Sequence, residues 1–426
     1  MLGGVYRAIA VLVRLLPPLP LFVIHGFADD EENSLRLAAA MASRSGRRDR
    51  VVLLCADPAH ARELLRIANR NAAYPTGTPH FVRKDSPLGV IVFVLARVFC
   101  YTHHMFGAPE PGPRRVHVNV GHGHGPKWAE SKGASATHRA DLAMINNAEW
   151  GGDVIDVQGL GPGGEAVVLP NPREDSLSES ADRQRLRRLG LDPDRPVVMW
   201  LPTYRRTIAM RKARWQDGST LHDDPAMLAA LERMSTSARE HGVQIATKFH
   251  KLDSEARAVV DFGMPVITQD QLDGAGLSFY QLLACIDGMI SDYSSVYVDY
   301  LTRDRPFALF FLDYAAMDDS RGFNTPDFRD AAHDLILADE KSVASFFAAM
   351  ARRDDWCREQ RHAFARAIGF ADPVYPATLA ALSEIHRVAH RKRVRVPAAW
   401  SATETGGRPA PASVEQPAPT ERPSQA

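Results

Sequence analysis

Short apolar, β-branched runs alternate with helical patterns along most of this chain, and that alternation restricts the fold more than any other feature. Runs at 21–24, 51–55, 90–95, 115–120 and 142–146 read as strands. A second set follows at 196–201, 243–248, 265–267, 288–291 and 307–311. Helical patterns lie at 33–43, 58–69, 225–241, 279–286, 296–302 and 341–353. Strands separated by helices pair in parallel, with the helices covering both faces of the sheet. The two sets are split by the polar stretch 172–188, which predicts an α/β protein of two Rossmann-like domains, 21–175 and 176–390. No repeat of about 20–50 residues is visible. A length of 426 residues suits two or three domains at roughly 150 residues each.

The ends are different. Residues 1–20 begin with an apolar stretch in which Leu2, Val5, Ile9, Leu12 and Leu16 recur at helical steps. Arg14, Pro17, Pro18 and Pro20 interrupt it before a spanning length of about 20 apolar residues is reached. The run passes straight into a core-strand pattern, with no small-residue cleavage site between. It reads either as a helix packed on the domain or as a basic amphipathic helix on a membrane surface. Residues 391–426 open with the basic run Arg391, Lys392, Arg393, Val394, Arg395. From 396 onward Pro, Ala, Ser, Thr and Glu dominate, a composition that predicts a disordered tail because it cannot offset its ordering entropy.

Charge narrows the function. Lys and Arg total 51, as do Asp and Glu, so bulk attraction to nucleic acid is excluded, while a local cationic cleft is not. Cys55, Cys100, Cys285 and Cys357 are scattered and form no CxxC, so neither a zinc cluster nor a disulfide scaffold is encoded.

The segment most informative about chemistry runs from Ile290 to Tyr300. An apolar strand ends at Asp292 and a helix opens near Ser294 and Ser295. Hydroxyl residues cap free N–H groups there, and a helix start at the carboxyl end of a parallel strand attracts anions. A capped structural turn would look the same. Arg305-Pro306, a strand, Asp313-Tyr314 and Arg321-Gly322-Phe323 follow. Arg321 could clamp a pyrophosphate bidentately. Upstream, Pro202-Thr203-Tyr204-Arg205 ends one strand, and Lys248-Phe249-His250 ends the next. Strand alternation turns Lys248 and His250 to one side. In the first half a strand ends in the glycine-rich loop Gly121-His122-Gly123-His124-Gly125-Pro126-Lys127. Its glycines let backbone approach a ligand, and His122 could act as a base near pH 7. Zinc on His122 and His124 is the rival reading, but no Cys or carboxylate lies nearby.

Taken together, these pieces resemble the CDP-glycerol glycerophosphotransferase family, which includes teichoic-acid primases and polymerases and their capsule-polymer relatives. The family pattern is matched in order by His122 to Lys127, by Pro202-Thr203-Tyr204-Arg205 and by Lys248-Phe249-His250. It continues with Ser291-Asp292-Tyr293-Ser294-Ser295 and Asp299, Arg305-Pro306, Asp313, and Arg321-Gly322-Phe323. Glu32-Asn33-Ser34 resembles the family's Asp-Asn-Ser loop. Lys251 departs from the pattern, standing where the family has proline.

The resemblance implies a GT-B-like architecture, with two Rossmann-like domains facing each other across a cleft. The donor, a CDP-alcohol such as CDP-glycerol, would sit on the second domain. His122 would take the proton of an acceptor hydroxyl, which attacks the β-phosphorus and expels CMP. His122, His250 and Asp292 are the implied catalytic residues. Lys127, Thr203, Arg205, Lys248, Ser294, Ser295, Asp299 and Arg321 are the implied substrate-binding residues. Asp292 and Asp299 could instead orient the histidines, position Arg321 or hold the serine loop. No cofactor or dedicated metal cage is implied, and cationic side chains, with at most a loosely held divalent ion, would balance the phosphates. The acceptor would be a lipid-linked or polymeric polyol or sugar, and the protein would sit peripherally on the cytoplasmic face of an anionic membrane. The competing expectation is a GT-B glycosyltransferase that uses a nucleotide sugar.

Overall fold

A computed structural model describes residues 2–102, 112–127, 139–203, 225–248, 264–320, 322–323, 325 and 328–401. Within them lie two parallel sheets, as the alternating pattern predicts. The first carries β1 (Leu21–His25), β2 (Arg50–Cys55), β3 (His80–Arg83), β4 (Val98–Tyr101), β5 (Val116–Asn119), β6 (Ala140–Ile145) and β7 (Leu160–Val168). Its order is β3-β2-β1-β4-β5-β6-β7. The second carries β8 (Val197–Leu201), β9 (Gln244–Thr247), β10 (Gly288–Ser291) and β11 (Phe307–Leu309), ordered β11-β10-β8-β9. β1, β4, β5, β8 and β10 are buried along their whole length apart from the first residue of β1, as expected for strands covered on both faces.

Three expectations are corrected. Residues 90–95 belong to a helix, Pro87–Leu95, and the strand they were read as is β4 a few residues later. A continuous apolar run has no period that separates a buried strand from a buried helix. The deciding signal was upstream, where Ser86 accepts a hydrogen bond from the Gly89 N–H and Pro87 occupies the first turn. Residues 265–267 form no full strand and make a single bridge, Val266 to Thr247. The domain boundary at 390 also fails. The helix Ala377–Arg391 leaves the second domain and packs on the first sheet. There Leu379, Leu382, Ile385 and Val388 share a core with Phe22, Leu53, Val98 and Val118.

The chain beyond that helix stays on the first domain as far as Ser401. Trp400 is 1% exposed and meets the Phe22 ring edge-on, with centroids 4.6 Å apart. The stretch up to 401 is therefore part of the fold, and the rest of the expected tail lies outside the described residues.

The first helix, Leu2–Leu15, buries Ile9 and Val13 against Val23, Val52, Phe93 and Phe99. Val5, Leu12 and Leu16, expected to share the Ile9 face, are exposed together with Val11 and Leu15. The helix is thus packed on one side and apolar on the other.

Candidate active site

Both sheets present the carboxyl ends of their strands to the region where the motifs collect. In the second sheet the chain leaves β8 to reach β9 on one side and returns to β10 on the other. Parallel sheets bind ligands at such a reversal of strand order. Thr203 lies just beyond β8, and Asp292 directly follows β10. The Thr203 N–H donates to both Asp292 carboxylate oxygens at 2.9 and 3.0 Å, and its hydroxyl donates at 2.6 Å. The Tyr293 N–H adds a fourth bond at 2.6 Å. Asp292 is 2% exposed. Its carboxylate is occupied by protein donors and stitches the two strand ends together. Of the readings the sequence left open, holding the serine loop is the one this geometry matches.

Ser294 and Ser295 follow at once and are partly exposed. The helix they open, Val296–Tyr300, has five residues and continues as a 3-10 turn over Leu301–Arg303. Ser295 makes no side-chain cap, and the Ser294 hydroxyl stands 3.5 Å from the Val296 N–H. The expected capped, dipolar helix start is therefore corrected to a short turn, because five residues sum few peptide dipoles.

The glycine-rich loop of the first domain lies directly on this turn. Gly123 has φ +110°, and a Cβ placed on it would stand 2.5 Å from Arg173 Nη2 and 2.6 Å from Ser295 Oγ. A Cβ on Gly125 would stand 3.1–3.2 Å from Ser295 backbone and Cβ atoms. Further on, Lys127 pairs with Phe323 in an antiparallel bridge. The loop carrying His122 and the Gly322-Phe323 pair are thus joined across the domain boundary. His122 is itself exposed, and its carbonyl oxygen accepts from Arg173 Nη2 at 2.7 Å.

Arg173 is the centre of a buried network that the sequence did not single out. Its guanidinium pairs with Asp299 at 2.7 Å and approaches Glu31 at 3.4 Å, and its N–H donates to Asn33 Oδ1 at 3.0 Å. Asn33 Nδ2 in turn donates to the Gly121 carbonyl at 3.1 Å. Asp299, fully buried, also accepts from Asn146 at 2.7 Å, from Asn171 at 3.1 Å and from the Tyr280 hydroxyl. Glu174 accepts from the same two asparagines and from Thr302. Burial, and then the neighbouring Asp299 charge, push the Glu174 carboxyl well above the usual carboxylate range. Asp299, expected to bind substrate, is corrected to an interdomain brace, because its oxygens are filled by protein donors and sealed from solvent.

His124 faces inward. It is 4% exposed, its Nδ1 lies 3.3 Å from Asn146 Oδ1, and burial pulls its pKa down to about 4. The neighbouring histidines therefore differ, one exposed and one buried as the neutral ring. Among the described residues no group of three or more His, Cys, Asp and Glu is placed to hold a metal ion.

The remaining motif residues divide by role. Lys248 follows β9, with its ammonium 5.4 Å from the Phe279 ring centroid. Tyr293 is fully buried, donates to Asp313 at 3.2 Å and packs on Phe311 and Phe323. Arg205, His250 and Arg321 lie outside the described residues. Arg173, Asn171 and Glu174 were hidden because 172–188 reads as a polar connector. The available signal was Asn171-Pro172-Arg173-Glu174, a capping box in which the Glu174 carboxylate returns to the Asn171 N–H at 3.0 Å.

Residues 165–370 match the model of the family described as CDP-Glycerol:Poly(glycerophosphate) glycerophosphotransferase. For this segment the match bears out the resemblance read from the motifs. No curated protein matches the chain. Among solved structures, a variant of the wall teichoic acid polymerase TagF superposes with a TM-score of 0.64 at 16% identity, covering 91% of this chain and 95% of that one. A TagF variant soaked with CDPG gives 0.63 at 16% identity, with coverages of 92% and 94%. A putative UDP-N-acetylglucosamine 2-epimerase from Listeria monocytogenes gives 0.51 at 11% identity, with coverages of 89% and 98%. At these identities the likeness is one of fold, and it supports the two-domain α/β class.

Proposed function

Taking residues 165–370 as a domain of the glycerophosphotransferase family, we propose that the protein transfers a glycerol phosphate, or related polyol phosphate, from a CDP-alcohol to a hydroxyl of a cell-wall or capsule polymer and releases CMP. One observation carries the reading. The His122 loop of the first domain is seated on the Ser294–Ser295 turn of the second, which supports a base on one domain working beside two hydroxyls on the other. In the reaction His122 accepts the acceptor proton as its oxygen bonds to the β-phosphorus. The bond from that phosphorus to the bridging oxygen breaks, and CMP leaves with the electron pair. Proton removal of this kind contributes about 10²–10⁴-fold. Most of the remainder comes from positioning and charge, which Ser294, Ser295, Lys127 and Lys248 would supply. His250, Arg205 and Arg321 would add to that charge.

The acceptor reading extends to the membrane. Val5, Val11, Leu12 and Leu15 of the first helix are exposed, as are Leu88 and Ile91 of the neighbouring helix. Arg7 and Arg14 stand exposed beside them. No described helix is long and apolar enough to cross a membrane. An apolar face with flanking cations suits the surface of an anionic bilayer, where a lipid-linked acceptor would be met.

The deciding experiment offers CDP-glycerol, CDP-ribitol, UDP-sugars and GDP-sugars with a membrane extract as acceptor. CMP release from a CDP-alcohol is expected. His122→Ala should abolish it while donor binding survives. Consumption of a UDP- or GDP-sugar alone would overturn the reading in favour of a glycosyltransferase.

A further inference from the structure

The second sheet has a second concave site, at the end opposite the motifs. A cavity of about 270 Å³ opens where the chain enters β10 and β11, and Arg183, Asp287, Arg303, Arg305 and Arg353 line it. Asp287 immediately precedes β10, whereas Asp292 immediately follows it. Four strand residues at about 3.3 Å each set the two sites roughly 13 Å or more apart.

The charge of this cavity is unbalanced. Asp287 is its acid, and it is already engaged, pairing with Arg183 at 2.6 Å and accepting the Val197 N–H at 2.8 Å. The other Arg183 donors go to backbone carbonyls of Pro193, Cys285 and Arg195. Arg303 donates to the Ala284 carbonyl at 3.2 Å, and Arg353 donates to the Asp194 carbonyl at 3.1 Å. Among the described residues no carboxylate pairs with Arg303, Arg305 or Arg353. The Nε of Arg303 is buried without a hydrogen-bond partner. Desolvating a charged donor and leaving it unpaired is costly, as is gathering guanidinium groups without counter-charge.

We propose that this cavity binds a phosphate-bearing anion, separately from the transfer site. Several guanidinium groups approach from different chain segments. That arrangement suits a tetrahedral dianion with acceptor oxygens in several directions better than a planar carboxylate. The volume admits one phosphate with a small polyol. Inorganic phosphate and a phosphodiester segment of a polymer share this chemistry. The inference rests on the cavity alone and not on the transferase reading.

Calorimetric titration of the full chain with inorganic phosphate, glycerol 3-phosphate and a glycerol-phosphate trimer tests it. Arg305 is exposed and has no partner among the described residues, so Arg305→Gln should fold normally. Arg305→Gln is expected to weaken binding severalfold, and Arg303→Gln with Arg305→Gln by at least about tenfold. A trimer binding at least about tenfold tighter than phosphate supports the site and names the polymer as its source. Equal affinities support the site and name free phosphate. Binding of all three probes that is absent, or equal in wild type and Arg305→Gln, overturns the proposal.

Discussion

At the residue scale, Gly123 shows how narrowly the loop is defined. Its φ of +110° and the two contacts at 2.5 and 2.6 Å leave no room for a methyl group. The methyl would meet Arg173 and Ser295, which hold the His122 loop in place. Gly123→Ala is therefore expected to lower stability by about 1–3 kcal/mol and kcat by about 10²-fold through displacement of His122. Urea titration and a CMP-release assay would measure the two effects. His124 gives a prediction about pH. Burial lowers its pKa in the folded state from 6.5 to about 4. The unfolded chain binds the proton below pH 6.5 and the folded chain refuses it until about pH 4. Stability from this group is complete above pH 6.5 and is lost as pH falls through that window, by up to about 3 kcal/mol. Asp175, raised by burial to about 6, works in the opposite sense, so the variant must be compared with wild type at each pH. His124→Gln should flatten the difference in unfolding free energy between pH 7.5 and pH 4.5 relative to wild type.

At the element scale, the returning C-terminal helix decides how the chain divides. Asp175, at the end of the first domain's run, accepts the N–H groups of Ala377 and Thr378 and so caps that helix at its start. Arg36 supports the same junction. It is fully buried and bonds Glu179 at 2.9 Å and Ser176 at 3.1 Å. Trp400 then closes the first core against Phe22. Trp400→Ala is expected to cost about 3–5 kcal/mol, read as a lower urea midpoint. A Trp400→Ala protein as stable as wild type would mean that residues 392–401 lie off the core. The strands and helices that build the sheets were legible because their periods of 2 and 3.6 are local properties. The helix Pro87–Leu95 was misread because its apolar run is too short and too uniform for either period to show.

At the scale of the whole molecule, charge and amide groups around Asp299 join the two domains, beside the apolar packing of Trp150 on Tyr297, Phe328 and Phe364. Arg173 from the first domain and Asp299 from the second form a pair with side chains 7% and 0% exposed. Removing one partner of such a pair leaves a buried charge uncompensated, at about 3–5 kcal/mol. Arg173→Met and Asp299→Asn should each destabilise the protein by about that much. The double variant should lose less than the sum, which a double-mutant cycle in urea would measure. Each single variant should also lower kcat more than it raises KM, because the pair holds the His122 carbonyl rather than touching the donor.

The amino-acid sequence by itself determined the parallel α/β class, the two domains and the ordered motifs that point to a CDP-alcohol enzyme. Those depend on periodicity and on short spacings, which a linear chain displays directly. Only the tertiary structure showed that protein donors fill the carboxylates of Asp292 and Asp299. Only it showed that Arg173 fastens the His122 loop, that the last helix belongs to the first domain, and that the arginines at 183, 303, 305 and 353 form one cavity. Partners such as Arg173 and Asp299 are 126 residues apart in the chain. The role of a buried polar side chain is set by which donors and acceptors surround it, and folding alone brings those together.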